Sequence, residues 1–162
     1  ISAEVVRELM ITVGEKPVRV RVSADESVVA EGDPKRVRQI LTNLISNAIK
    51  FTERGEIVVT AGIDRNFSFV RVSDTGPGIP PGERARIFEE YKQTSAERER
   101  KRGTGLGLAI SNRLVQLHEG HIGLESEVGK DDPGGSDERI DGGETQGGSA
   151  WRQAGGSAGA LL

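Results

Sequence analysis

Between Pro34 and Phe51 the chain carries Gln39, Asn43, Asn47 and Lys50 at helical spacing. At 100° per residue these four share one side, with Phe51 at its margin, while Val37, Leu41, Leu44, Ile45 and Ala48 fall on the other. A helix face that only meets solvent is usually filled with Glu, Lys and Arg. This one sets two amides a turn apart, then an ammonium and an aromatic ring. A single Asn there would read as part of a solvated polar face. The set of four favours a ligand site, without deciding the matter.

Two glycine-bearing segments add to it. Asp74-Thr75-Gly76-Pro77-Gly78-Ile79 follows an apolar run. Its glycines let a ligand approach the backbone closely, and a carboxylate at a strand end can accept hydrogen bonds from a flat, donor-bearing molecule. Alone, the segment reads more readily as a tight turn with an N-terminal Asp. Gly103-Thr104-Gly105-Leu106-Gly107-Leu108 closes a charged stretch and opens a helix. Such glycines present backbone N–H groups to an anion at a helix N-terminus. The spacing is neither GxGxxG nor a P-loop, and a glycine-rich hinge is the bland alternative.

These segments need elements to hold them. Residues 4–12 fit a short helix or an entering strand, which the pattern does not separate. Alternation of Val18, Val20 and Val22 with Arg19 and Arg21 predicts a half-buried strand, and 28–30 a second short one. Asp33-Pro34 opens a helix to about Phe51, with Asp as cap and Pro in the first turn. Residues 56–63 and 67–72 predict two strands joined as a hairpin through Asp64-Arg65-Asn66. Residues 83–90 look helical, a second helix runs from the glycine turn to about Leu117, and 121–126 reads as a strand. This mixed order with an internal hairpin predicts an α/β two-layer sandwich, a mixed sheet with helices on one face.

Composition bounds the possibilities. The chain has 162 residues, a net charge of −3 and no cysteine. That charge argues against a general nucleic-acid or acidic-membrane binder. The missing cysteine excludes a disulfide scaffold, a Cys-ligated zinc site and a thiol nucleophile. No apolar run is long enough to span a bilayer, and no secretory leader pattern opens the sequence. The first residue is Ile1, which reads as the start of a piece of something longer. Nine of the 22 glycines fall after residue 130, in an acidic stretch without apolar periodicity. The folded domain is therefore expected at 1–130, with 131–162 a disordered Gly-rich tail.

In this order the segments resemble the ATP-binding catalytic domain of sensor histidine kinases, within the GHKL superfamily that includes gyrase-type ATPases. The N box matches 33–52 (DPKRVRQILTNLISNAIKFT), the G1 box 74–79 (DTGPGI), the F box 87–93 (IFEEYKQ) and the G2 box 103–110 (GTGLGLAI). The resemblance covers about 33–130 and implies a Bergerat-type ATP-binding fold. It further implies that Asn47 holds Mg²⁺ against the phosphates, with Asn43 as its polar partner. Lys50 offsets phosphate charge and Phe51 packs on the adenine or ribose. Asn43, Asn47 and Lys50 are the implied catalytic set. Asp74 accepts from the adenine amino group, with Gly76, Gly78 and Ile79 closing over the base. Gly103, Thr104, Gly105, Leu106, Gly107 and Leu108 form the phosphate end, and 94–102 the lid, whose Arg/Lys run offers a phosphate contact.

By the same resemblance, the γ-phosphoryl group of ATP passes to a histidine on a separate dimerisation domain, and onward to a response-regulator receiver domain, in the cytoplasm. His118 and His121 lack the acceptor pattern and are expected in structural or surface roles. Gyrase-type relatives carry a water-activating glutamate where this chain has Asn43, which disfavours an autonomous ATPase. A nucleotide-binding regulatory module without turnover is the other alternative. One departure stands out. The family follows Gly129-Lys130 with a further alternating strand, and here Asp131-Asp132-Pro133-Gly134-Gly135 takes its place. The final strand is therefore expected to be missing, leaving strand 121–126 at an open edge.

Overall fold

A computed structural model of the chain describes residues 2–24, 32–64, 67–89, 105–128 and 156–161. The predicted strand at 28–30, the hairpin tip at 65–66, the lid at 94–102, and Gly103 and Thr104 lie outside these residues. The elements are α1 (Ser2–Val13), β1 (Val18–Ala24), α2 (Pro34–Phe51), β2 (Gly55–Asp64), β3 (Phe67–Asp74), α3 (Pro81–Arg84), α4 (Gly107–Leu117), β4 (His121–Glu125) and β5 (Gly156–Leu161).

The first segment is a helix because Val5, Val6, Leu9 and Val13 recur with a helical period and pack into the core, three of them buried. Helix α2 starts where the sequence places it: the Asp33 carboxylate accepts the Lys35 N–H at 2.8 Å, and Pro34 occupies the first turn. Its buried side is wider than the sequence reading, taking in Ile40 and Ile49 besides Leu41, Leu44, Ile45 and Ala48. Against these lie Ile57 and Val59 of β2, Val72 of β3, and Leu114 and Val115 of α4, in one contiguous apolar cluster. Helices thus cover one face of a mixed sheet, as expected. Arg38 ties α1 to α2 through Glu4 and Glu8, at 2.8 and 2.9 Å.

The sheet order is β1-β2-β3-β5-β4. Strands β1 and β2 run parallel, with Val20 opposite Ile57, and β2 and β3 form the antiparallel hairpin, with Val59 opposite Val72. Two expectations are corrected. The region after Gly129-Lys130 does supply a strand: β5 pairs antiparallel with β3 on one side and with β4 on the other, so β4 has its neighbour and 131–162 is not without structure throughout. Sequence periodicity misses β5 because a six-residue run of Gly, Ser, Ala and Leu has no alternation to detect. Its backbone groups gain partners only because two open strand edges are waiting for them. The second correction concerns 83–90. Among the described residues of that stretch the helix ends at Arg84, and the following N–H groups bond three residues back, Arg86 to Glu83 and Glu89 to Arg86, as successive turns.

Candidate nucleotide site

Helix α2 carries the candidate residues along its length, and the two glycine segments meet it at different points. Near its middle, Asn43 Nδ2 donates to the Gly107 carbonyl and to Ser111 Oγ, both at 3.1 Å. Both amide hydrogens are thereby engaged by the first turns of α4, which fixes which way the amide faces. Ser111 is fully buried. At the C-terminal end of α2, the Phe51 carbonyl lies against Gly76, where a Cβ would stand 3.4 Å from that oxygen. Eight residues separate these two contacts along the sequence, about 12 Å of helix. The 74–79 loop thus meets α2 at its C-terminal end, and the turn that opens α4 meets it near its middle.

The other residues on the polar face differ from Asn43. Asn47 is half-buried and makes no hydrogen bond among the described residues. Its amide oxygen is a hard donor of the kind a magnesium ion takes. Lys50 Nζ sits 4.5 Å from the centre of the Phe51 ring, a cation–π contact that orders both side chains. Gln39 is a turn away, where it accepts from Arg36 at 3.4 Å, and belongs to the helix surface.

The 74–79 loop is locked from three sides. Asp74 Oδ1 accepts the Gly76 N–H at 2.9 Å, while its second oxygen has no partner among the described residues. Burial pushes the Asp74 carboxyl above its ordinary value, and the Gly76 N–H pulls it back in part. Thr75 Oγ1 donates to the Arg54 carbonyl and accepts the Glu56 N–H, stitching the loop to the start of β2. Gly78 has φ +72°, and a Cβ there would collide with the Glu127 carbonyl. The Ile79 N–H donates to buried Ser126 Oγ at 2.7 Å, and Arg84 Nε donates to the Ile79 carbonyl at 2.9 Å.

At the other end, Gly105 turns the chain with φ +70° into α4. Leu106, as N-cap, makes no side-chain cap to the first N–H groups of this 11-residue helix among the described residues. Of the residues singled out by sequence, Asn43, Asn47, Lys50, Phe51, Asp74, Gly76, Gly78, Ile79, Gly105, Leu106, Gly107 and Leu108 lie on these elements. Gly103 and Thr104 lie outside the described residues. Ser111, Ser126 and Thr75 as site supports escape a motif reading. Only Ser111 leaves a trace, standing one helical turn after Gly107. His118 has a structural role: Nδ1–H donates to the Leu114 carbonyl at 2.8 Å, and Nε2 accepts the Asp33 N–H at 3.2 Å. That bond clips the end of α4 to the start of α2. His121 begins β4 on the surface.

The fold is an α/β one, a mixed sheet backed by helices α1, α2 and α4. Residues 32–141 match the family of histidine kinase-, DNA gyrase B- and HSP90-like ATPases, and the chain belongs to it. Within it the chain is 48% identical over 104 residues to the circadian input-output histidine kinase CikA of Synechococcus elongatus, covering 63% of this chain and 14% of CikA. It is 43% identical over 109 residues to the sensor histidine kinase RcsC of Escherichia coli, covering 67% of this chain and 12% of RcsC. Full-length ShkA, solved in complex with AMPPNP, superposes with a TM-score of 0.72 at 30% identity, over 99% of this chain and 28% of ShkA. The catalytic domain of the histidine kinase ThkA, at 23% identity and TM-score 0.71, shares the fold. The chain is therefore homologous to the ATP-binding catalytic domain of sensor histidine kinases, as its ordered boxes led us to expect. No helix among the described residues is long and apolar enough to cross a membrane.

Proposed function

We propose that this chain binds Mg²⁺–ATP and donates the γ-phosphoryl group to a histidine on a separate dimerisation domain, in the cytoplasm. A response-regulator receiver domain is then the onward acceptor. The observation that carries this reading is the layout along α2. A half-buried carboxylate with a spare acceptor oxygen lies in the loop at the Phe51 end, and an uncapped helix N-terminus lies at the Asn43 end. The first suits the amino edge of adenine, the second the phosphates. Asn47 would hold the magnesium ion, which would neutralise charge on the phosphates. Lys50 would add a second positive charge, and Phe51 an apolar wall for the base or sugar. Gly76, Gly78 and Ile79 would close over the base, and Gly103 to Leu108 would line the phosphates.

Phosphoryl transfer needs chiefly positioning and charge neutralisation, which these residues supply. A nucleophile must come from elsewhere. Asn43 is an amide, not a base, and its NH₂ is committed to α4. That favours transfer to a side chain over activation of water. Residues 1–130 are proposed to hold all of this machinery. The test mixes the chain with γ-labelled Mg²⁺–ATP and a separately made acceptor-helix domain. Acid-labile label on the acceptor is expected. ATP binding without transfer would instead support a regulatory module, and steady phosphate release an ATPase; either would sink the kinase reading.

A further inference from the structure

Lys16 lies outside every sequence box, in the short connection between α1 and β1, yet its ammonium reaches the last turn of α2. It donates to the carbonyls of Ile49 at 2.9 Å, Thr52 at 3.1 Å and Lys50 at 3.4 Å, with Glu53 at 3.7 Å. An ammonium has three hydrogens, and each is matched here by a carbonyl. The last carbonyls of a helix have no partner within it, and the end of a helix frays unless something holds them. At this cap the Thr52 N–H bonds the Ala48 carbonyl, and the lysine reaches the carbonyls that follow it. A cation at this pole also meets the negative end of the helix dipole.

Lys16 is itself anchored. Its own carbonyl accepts the Val18 N–H at 2.7 Å, its N–H bonds the Val13 carbonyl, and the neighbouring Pro17 carbonyl accepts the Gly55 N–H. The ammonium therefore ties the α2 terminus to a frame made of α1, β1 and β2. The turn it holds bears Lys50 and Phe51 and abuts Gly76 of the 74–79 loop. We propose that Lys16 is a positioning residue for nucleotide binding: by capping α2 it fixes Lys50 and Phe51 against that loop. This rests on the ATP-site reading given above.

The test titrates Mg²⁺–ATP by calorimetry into the parent, Lys16→Met, Lys50→Ala and the double variant, with circular dichroism reporting the fold. Lys16→Met is expected to remain folded and to bind ATP about tenfold more weakly. Because Lys16 acts in part through Lys50, adding Lys16→Met to Lys50→Ala is expected to cost less than it does alone. Lys16→Arg, which keeps a cationic donor, should recover most of the affinity. If Lys16→Met does not fold, Lys16→Gln carries the same cycle. Parental affinity in Lys16→Met, or an equal loss with and without Lys50, overturns the proposal. Asp74→Asn is titrated alongside. If it binds ATP like the parent, the site reading fails and the proposal falls with it; a lost Asp74 effect is thereby told apart from an additive Lys16 effect.

Discussion

Asp74 opposes the fold, whereas the proposed reading gives it a part in the site. Burial holds its carboxyl above the ordinary value. An acid whose folded pKa exceeds its unfolded one opposes folding when ionised in both states, and that cost disappears as pH falls below the unfolded value. Asp74→Asn is therefore expected to melt at or above the parent's temperature at pH 7, the advantage shrinking as pH approaches about 4. The same variant is expected to bind ATP roughly ten- to a hundredfold more weakly, read by calorimetry. The two asparagines of α2 make a sharper pair. Asn43→Asp sets an acceptor where the amide donates to the Gly107 carbonyl, and is expected to cost about 1–3 kcal/mol in chemical denaturation. Asn47→Asp breaks no protein hydrogen bond among the described residues and is expected to stay within about 0.5 kcal/mol of the parent. Equal costs would refute the separation of roles. Both asparagines are visible from helical spacing alone. Their difference is not, because it depends on Ser111, which reaches Asn43 only through the packing of α4 on α2.

At the scale of elements, α2 was legible from end to end. Asp33 and Pro34 mark its start by local chemistry, and six apolar positions mark its buried side. Its C-terminal end is another matter. Thr52 is fully buried and its hydroxyl has no partner among the described residues. Thr52→Val, which keeps the shape and removes the orphan hydroxyl, is expected to leave the melting temperature unchanged or raise it. A clear loss would mean the hydroxyl is engaged. The segment after the 74–79 loop was overread as helix, since Pro80 and Pro81 begin a turn of helix that the following residues do not propagate. The loop itself keeps its shape through Thr75 and Ser126, contacts that join distant parts of the chain, and through nearby Arg84.

For the whole molecule, the placement of β5 matters most. Residues 1–130 are proposed to contain the nucleotide machinery, yet β3 and β4 are joined in the sheet by 156–161. Removing 131–162 leaves two strand edges unpaired, which favours association and lowers stability. The truncated chain is expected to bind ATP but to melt lower than the full chain by about 4 °C or more, and to self-associate on a sizing column. An unchanged melting temperature and a monomeric profile would mean that β5 contributes nothing to stability in solution.

Helix α2, the residues on its polar face, the two glycine loops and the family they compose can all be read from the amino-acid order. Each of these is written in local order: periodicity, caps, and turns that glycine permits. Only the tertiary structure decided how they are held. Asn43 is oriented by Ser111, Ile79 is pinned by Ser126, α2 is capped by Lys16, and β4 finds its neighbour in a distant segment. The physical reason is common to all four. A hydrogen-bond donor or acceptor has no partner in one dimension, and which distant group satisfies it is fixed only when packing brings the two together.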